Sequence, residues 1–333
     1  MRAFIPASPV ALRSWAAPIA LVVLLLASQS AFSQSLGWEG PTGVFVTPLA
    51  STAASPERTF GNPVIAYHFL NGGPVIGNFS TISITEGFAK RAEFGYTAEV
   101  HQGGSDNVNA APLNPLWTGA MNLVHAKVNL LPENFKKKKW APAISVGAIV
   151  RTNDNNVGDG VNSAALHSAL GITSGTQTRI NEDFYLVGTK VVTQISRKVP
   201  WLFSAGVRAT NASLWGLGGN APDYSARAFG ALAWVFTGPG KSTIILGSEA
   251  AQQPRNLLVT LTPANGGGTA GVFDIPTSEV YAVRVVPSPK ARLNLDFGVL
   301  HAAGNIGASP TLPSVNVDLK AGARVAFALS YGF

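Results

Sequence analysis

The last segment of the chain, residues 320–333, alternates between apolar and small or charged side chains. Ala321, Ala323 and every second residue after them are apolar, up to Phe333. The positions between them carry Lys320, Arg324 and small residues. Successive side chains of an extended strand point to opposite faces, so this pattern predicts a β-strand with one apolar and one polar face.

The same alternation recurs along the rest of the chain. In residues 291–300, ARLNLDFGVL, leucine, phenylalanine and valine occupy one face, and Arg292, Asn294 and Asp296 share the other. About ten tilted residues of this kind cross a bilayer. Twelve segments fit the pattern: 60–69, 77–86, 91–100, 120–131, 142–152, 184–194, 200–210, 225–236, 242–250, 279–286, 291–300 and 317–333.

The composition favours a membrane protein that crosses the bilayer with strands. Only 12% of the residues are charged, about half of what soluble proteins carry, and the mean hydropathy is +0.21. After residue 35 the sequence has no apolar run of about 18 residues, the length that a membrane helix needs. These features predict an all-β fold: a transmembrane, antiparallel, up-and-down β-barrel of about twelve strands. A soluble β-sandwich with an edge strand is the alternative.

The connections between the predicted strands support an even strand number. Those after even-numbered strands are mostly short, and those after odd-numbered strands are mostly longer and rich in Gly, Asn and Asp. Outer-membrane barrels have short periplasmic turns and long outer loops. We therefore predict the outer membrane of a Gram-negative bacterium, with both termini in the periplasm and the barrel in residues 58–333.

The N-terminal residues 1–33 predict a secretory signal peptide. Arg2 and Arg13 precede an apolar run over residues 16–27, and small residues follow at Ala31 and Ser33. This run is shorter than a membrane-spanning helix. An uncleaved membrane anchor is the alternative.

Residues 34–57 are too rich in Gly, Pro, Ser and Thr to form a strand pair. Their length allows them to reach well into a barrel from the periplasmic end. We predict that residues 37–48 fold into this mouth and block part of the lumen. Packing by Trp38 and Phe45 should then supply most of the attachment, with Glu39 paired to an inward base. A disordered periplasmic tail is the alternative.

The polar faces of the strands predict the charges that line the lumen. Ten bases and five acids point inward under this assignment, a surplus that favours anionic solutes or acidic polysaccharide. The structural alternative is a narrow barrel filled with paired charges. The predicted inward residues are Arg91, Glu93, Glu99, Lys127, Arg151, Lys190, Arg208, Arg227, Glu249, Arg284, Arg292, Asp296, Asp318, Lys320 and Arg324.

The C-terminal strand carries a candidate assembly signal. Tyr331 and Phe333 fall on its apolar face, and a terminal Phe is similar to the end signature of bacterial outer-membrane proteins. This similarity implies that outer-membrane lipid and the barrel-assembly machinery are partners. The run of residues 136–139, KKKK, falls in a predicted periplasmic turn. It is either a solvated tip or a contact for anionic lipid or a periplasmic partner.

Several short motifs resemble the YjbH-like barrels, outer-membrane proteins associated with exopolysaccharide production. The resemblance covers roughly residues 37–210 and implies the barrel fold together with a role in exopolysaccharide handling. Its matching residues are Gly40, Pro41, Thr42, Gly43, Thr47, Pro48, Lys127, Pro142, Gly147, Tyr185 and Lys190.

The sequence therefore favours passage or export-related handling of a polar, anionic solute or exopolysaccharide. Two alternatives stay open: a non-conducting structural or interaction barrel, and an outer-membrane lipid-modifying enzyme. We predict no nucleic-acid partner, cofactor, catalytic residue or metal site. The chain has no Cys, and its histidines are not at ligand spacing: His68, His101, His125, His167 and His301.

Overall fold

The computed structural model forms a closed antiparallel barrel of twelve strands, which confirms the predicted fold class. No helix in the described part of the chain is long and apolar enough to cross a membrane. The structure describes residues 35–55, 57–106, 119–153, 180–193, 199–212, 220–253, 277–288, 292–301, 303–306 and 317–333. The predicted signal peptide lies outside these residues.

Each of the twelve predicted segments overlaps one barrel strand. The last predicted segment is longer than its strand, because residues 317–321 leave the barrel and pair with residues 303–306 in a separate two-stranded sheet. A short helix, α1 (Gly73–Ile76), follows the first strand. The strands are β1 (Val64–Asn71), β2 (Asn78–Phe88), β3 (Ala92–Gln102), β4 (Gly119–Leu131), β5 (Ala143–Asn153), β6 (Ile180–Val192), β7 (Trp201–Ala212), β8 (Asn220–Thr237), β9 (Thr243–Ala251), β10 (Ser278–Val286), β11 (Leu293–His301), β12 (Ala303–Ile306), β13 (Val317–Ala321) and β14 (Arg324–Gly332).

The last strand closes the barrel on the first. β14 pairs with β1 from Val64 opposite Gly332 to Leu70 opposite Ala326, and with β11 on its other side. Every strand of the barrel therefore has two hydrogen-bonded neighbours. Closure matters because an unpaired strand edge would leave backbone N–H and C=O groups without partners in the hydrocarbon.

The outer face of the barrel is apolar and exposed. Val325 on β14, Phe297 on β11 and Ile82 on β2 are 65%, 58% and 61% exposed, whereas their sequence neighbours point inward and are mostly buried. Such exposure is unfavourable in water and favourable in lipid. A closed barrel with an apolar outside and a polar inside is the form of a membrane-spanning β-barrel.

The two ends of the barrel differ. The turn end carries the start of β1, the end of β14 and the five connections that follow even-numbered strands, such as the three-residue turn of residues 89–91, in which Ala89 and Lys90 have positive φ. The loop end carries α1 and the longer connections. Aromatic side chains gather at the turn end, where Trp201 and Trp234 pack with their ring centroids 5.3 Å apart. This matches the aromatic girdle at a membrane interface.

The two aromatic residues of the predicted assembly signal lie differently. Tyr331 is 40% exposed on the outer face, as the alternation predicts, but Phe333 is only 9% exposed. The strand ends at Gly332, so the alternation ends there too. Phe333 instead donates its backbone N–H to the Pro63 carbonyl at 3.0 Å and packs its ring at right angles to Tyr331. Phe333 is therefore buried at the end of the barrel, in contrast to the exposed Tyr331, and its role in assembly stays a prediction.

Candidate functional site

A segment from before β1, residues 35–55, lies inside the barrel, and we call it the plug segment. Leu36, Phe45 and Ala50 in it are at most 1% exposed. It forms two small turns, closed by bridges between Leu36 and Thr42 and between Gly43 and Pro48. Its glycines and prolines favour such turns over a strand.

Gly40 lets the plug segment approach the wall closely. Its φ of +102° lies in the region that favours glycine, and a Cβ there would lie 2.5 Å from Thr97 Oγ1 and 2.6 Å from His125 Cε1. The carbonyl of Gly40 accepts a hydrogen bond from Thr85 Oγ1 at 2.8 Å. A larger residue at this position would therefore push the segment away from β2, β3 and β4.

The carboxyl group of Glu249, on β9, holds one turn of the plug segment. Its Oε1 accepts the backbone N–H groups of Phe45 at 3.0 Å and Val46 at 2.7 Å. Its Oε2 accepts the backbone N–H of Thr47 at 2.7 Å and the Thr47 hydroxyl at 2.6 Å. Glu249 is 5% exposed, so one wall side chain satisfies four donors that would otherwise be buried without partners.

A buried ion pair holds the second turn. Lys127 Nζ on β4 lies 2.9 Å from Glu93 Oε1 on β3, and neither side chain is exposed. Glu93 accepts the backbone N–H groups of Thr42 at 2.9 Å and Ala53 at 2.7 Å. Lys127 donates to the carbonyls of Thr42 and Leu49, both at 2.9 Å. The pair is thus satisfied by backbone groups of the plug segment, which a buried ion pair requires.

A third attachment joins the tip of the plug segment to three neighbouring strands. Glu39 pairs with Arg151 on β5 and, at 3.5 Å, with Arg208 on β7. Both arginines also contact Asp183 Oδ2 on β6, at 2.7 Å and 2.9 Å. The two acids and two bases form one network at the loop side of the plug segment.

Further wall groups complete the attachment. Arg284 on β10 donates to the Val44 carbonyl at 2.9 Å and forms an ion pair with Asp296 at 2.7 Å. Ala50 is held by side chains of three other strands: its N–H donates to Thr189, and its carbonyl accepts from Asn129 and Ser145. The plug segment therefore contacts walls on opposite sides of the barrel.

Apolar packing adds to these polar contacts on one side. The rings of Trp38 and Phe45 lie against each other and against His68 on β1, with centroid distances between 5.5 and 6.3 Å. Trp38 Nε1 donates to Glu99 Oε2 at 3.1 Å. The attachment thus combines packing with many buried hydrogen bonds, whereas the sequence-based expectation considered only Glu39 and the two aromatic residues.

A cavity remains between the plug segment and the loop end of the barrel. Its empty volume, which includes open solvent, is about 1110 Å³. Trp38, Glu39, Phe45 and Val46 of the plug segment form its floor. Apolar side chains from β1, β2, β4 and β11 form part of its wall, and charged side chains from β3, β5, β6, β7 and β14 form another part. Uncharged polar and small residues, such as Gln252, Gln253 and Ser278, complete the lining.

Three predicted lumen residues do not line the lumen. Arg91 is exposed in the turn before β3. Lys190 pairs in register with the outward Phe203 and reaches Glu133 at 2.8 Å at the turn end. Lys320 lies on β13, outside the barrel, with a positive φ, and forms an ion pair with Asp106. All three lie at strand ends or beyond, where polar side chains occur on either face.

The predicted surplus of five bases is also wrong. Within the described residues, seven bases and five acids of the wall point inward, and Glu39 adds a sixth acid. Asp183 was missed because the predicted strand began at residue 184, and the side chain of Asp318 lies outside the described set. The inward wall charges are Lys127, Arg151, Arg208, Arg227, Arg284, Arg292, Arg324, Glu93, Glu99, Asp183, Glu249 and Asp296.

Solved structures similar to this chain are barrels of low sequence identity. A KdgM porin in complex with disordered oligogalacturonate is 11% identical, with a TM-score of 0.41 over 81% of this chain and 99% of that chain. LpxR from Salmonella typhimurium is 10% identical, with a TM-score of 0.42 over 81% and 100%. OprB from Pseudomonas putida is 13% identical, with a TM-score of 0.31 over 77% and 59%.

Comparison by sequence identifies the family. No curated protein matches the chain. A family model does match it, over residues 66–268, which extend from within β1 to beyond β9. That family is described as a protein of unknown function, DUF3034. Because the match extends over more than half of the sequence, the chain belongs to the DUF3034 family.

Proposed function

We propose that this protein is an outer-membrane barrel that passes a polar, anionic solute through a lumen closed at rest by the plug segment. The observation that carries the proposal is that a separate chain segment lies inside the barrel and contacts opposite walls. A small barrel can be filled by side chains of its own wall. Here the closure is made by residues that precede β1 and take no part in the barrel ladder.

This arrangement allows opening without unfolding. Moving the plug segment breaks hydrogen bonds to Glu249, Glu93 and Arg151, but it leaves every pair of barrel strands intact. The freed groups are polar and can bind water once the lumen fills, so the cost of opening is smaller than for an apolar core. A closed resting state with a separable closure is typical of a gated passage.

The proposal includes an orientation and a class of cargo. We place the turn end, and with it both termini, in the periplasm, because short turns face that side in outer-membrane barrels. The resemblance to YjbH-like barrels supports export-related handling of exopolysaccharide as a hypothesis for the physiological role.

A non-conducting interaction barrel is the second candidate. It is favoured by the nearly balanced inward charges, which resemble structural ion pairs more than a cation-lined pathway. We propose no enzymatic role. Among the buried histidines, His68 contacts the Leu36 carbonyl and Thr81. His101 contacts Glu99, and His125 contacts Thr85. These contacts position the rings for support of the interior.

Single-channel recording of the purified protein in a planar bilayer tests the proposal. We expect the wild type to be closed for most of the recording, and a variant lacking residues 34–48 to conduct continuously, because the deletion removes the floor of the cavity and three wall attachments. Heat-modifiable migration on gels shows whether the deleted variant still forms a barrel. A folded deletion variant that stays silent would favour the interaction barrel.

Ion selectivity of the opened variant tests the anionic cargo. In a salt gradient, Arg208→Glu and Arg324→Glu should shift the reversal potential towards cation preference. Lys190→Glu is the matched control, because Lys190 has the same charge but lies on the outer face at the turn end. Equal shifts for all three variants would contradict a pathway along the inward arginines.

A further inference from the structure

We propose that the cavity at the loop end binds a small monoanion with an apolar body, such as an aromatic or medium-chain carboxylate. This inference rests on the proposed function and narrows its cargo, since the solute that the barrel passes would be a small amphipathic monoanion in place of an exopolysaccharide. We infer the chemistry of that solute from three features of the cavity: its apolar wall, its arginine side chains and the balance of charges in its lining.

One side of the cavity suits an apolar body. Phe79 on β2, Met121 on β4 and Leu300 on β11 line it and are 5%, 3% and 6% exposed. Trp38 and Phe45 extend this surface across the floor. Contact with such side chains removes apolar surface of a ligand from water, which is the main source of affinity in small-molecule pockets.

The charged side offers an arginine that has no carboxylate partner among the described residues. Arg324 lines the cavity, and its one hydrogen bond there is from Nη2 to the Lys320 carbonyl. Arg208 also lines the cavity, but its Nη1 contacts Asp183. A ligand carboxylate that reaches the Arg324 guanidinium would form a charge-assisted hydrogen bond with it.

The acids that line the cavity are already engaged. Glu99 accepts from Trp38 and contacts His101 at 2.6 Å, Glu39 pairs with Arg151, and Asp183 pairs with both Arg151 and Arg208. The lining therefore holds three bases and three acids among the described residues. A balanced lining does not attract a polyanion, so it favours one negative charge over the many of an acidic polymer.

The floor of the cavity restricts what it can hold. Because the plug segment forms the floor, a polymer could not continue through the barrel in this state. The cavity thus holds a complete small ligand above a closed passage.

Binding is measured with the full-length protein in lipid nanodiscs, using the fluorescence of Trp38 on the cavity floor. The probes are 4-phenylbutyrate, its uncharged amide, and acetate. We expect saturable binding of the carboxylate, roughly tenfold weaker binding of the amide, and no binding of acetate. A Trp38→Phe variant should lose the signal, which separates the cavity from probe that partitions into lipid.

A single variant tests the role of Arg324. Arg324→Gln should weaken the carboxylate roughly tenfold and leave the amide unchanged, whereas Arg91→Gln, an exposed arginine at the turn end, should change neither. Equal affinities of carboxylate and amide, or no saturable binding in the wild type, would overturn the proposal. This measurement needs no transport. If the carboxylate binds but the variant lacking residues 34–48 does not conduct, the proposed passage is refuted and the binding site stands.

Discussion

Replacing Glu249 by leucine should turn the closed barrel into one that conducts. The variant loses the acceptor of four hydrogen bonds from Phe45, Val46 and Thr47. At about 1 kcal/mol net for each bond, partly recovered by water, the closed state loses about 3 kcal/mol. This corresponds to a fall of about a hundredfold in the ratio of closed to open time, because 1.4 kcal/mol is tenfold. Single-channel recording measures this ratio directly.

Two matched variants show whether the effect comes from the plug segment. Glu249→Gln keeps one acceptor oxygen at the same position and should open the barrel less than leucine does. Glu279→Gln removes an exposed acid on the neighbouring strand β10 and should leave the closed time unchanged. If leucine at position 249 lowers stability of the barrel but leaves it closed, Glu249 supports the wall only, and the plug segment is held elsewhere.

The barrel could be predicted because its signal is local. Alternation with a period of two is a property of each strand. Because one face contacts lipid, that face carries apolar residues, and the alternation is clear in segments such as residues 291–300. The pattern of short and long connections adds the strand number. Closure then follows, since a membrane barrel cannot leave a strand edge unpaired.

The same pattern fails at strand ends. A shift of the strand register by one residue moves every side chain to the other face. Near the membrane interface, polar side chains occur on the outer face as well as on the inner face, so polarity does not indicate the face there. Lys190 shows this: it is polar and lies within a predicted strand, yet it shares the outer face with Phe203. Asp183, one residue before the same predicted strand, points inward and is 1% exposed.

The attachments of the plug segment could not be predicted from local patterns. Composition indicates that residues 34–57 are not a strand pair, but their partners are distant in sequence. Thr42 contacts Glu93, 51 residues later, and Phe45 contacts Glu249, 204 residues later. No periodicity connects such positions. An acid on the polar face of a strand is equally compatible with an arginine, with water or with backbone N–H groups of another segment.

Replacing Lys127 by methionine should strongly destabilise the folded barrel. Methionine fills similar space but leaves Glu93 buried without its base, and removing one partner of a buried ion pair costs about 3–5 kcal/mol. The two carbonyls of Thr42 and Leu49 that accept from Lys127 also lose their donor. The folded fraction, followed by heat-modifiable migration in a urea series, should fall at a clearly lower urea concentration than in the wild type.

The double variant Lys127→Met with Glu93→Gln separates charge from volume. Thr42 and Ala53 donate their N–H groups to different oxygens of Glu93, so glutamine can accept from only one of them, but it brings no unpaired charge into the interior. Replacement of both members of a buried ion pair costs less than loss of one, so the double variant should recover part of the lost stability. If it is as unstable as Lys127→Met, the packing and hydrogen bonds of the lysine matter more than its charge. The ion pair would then position the plug segment without being needed to neutralise Glu93.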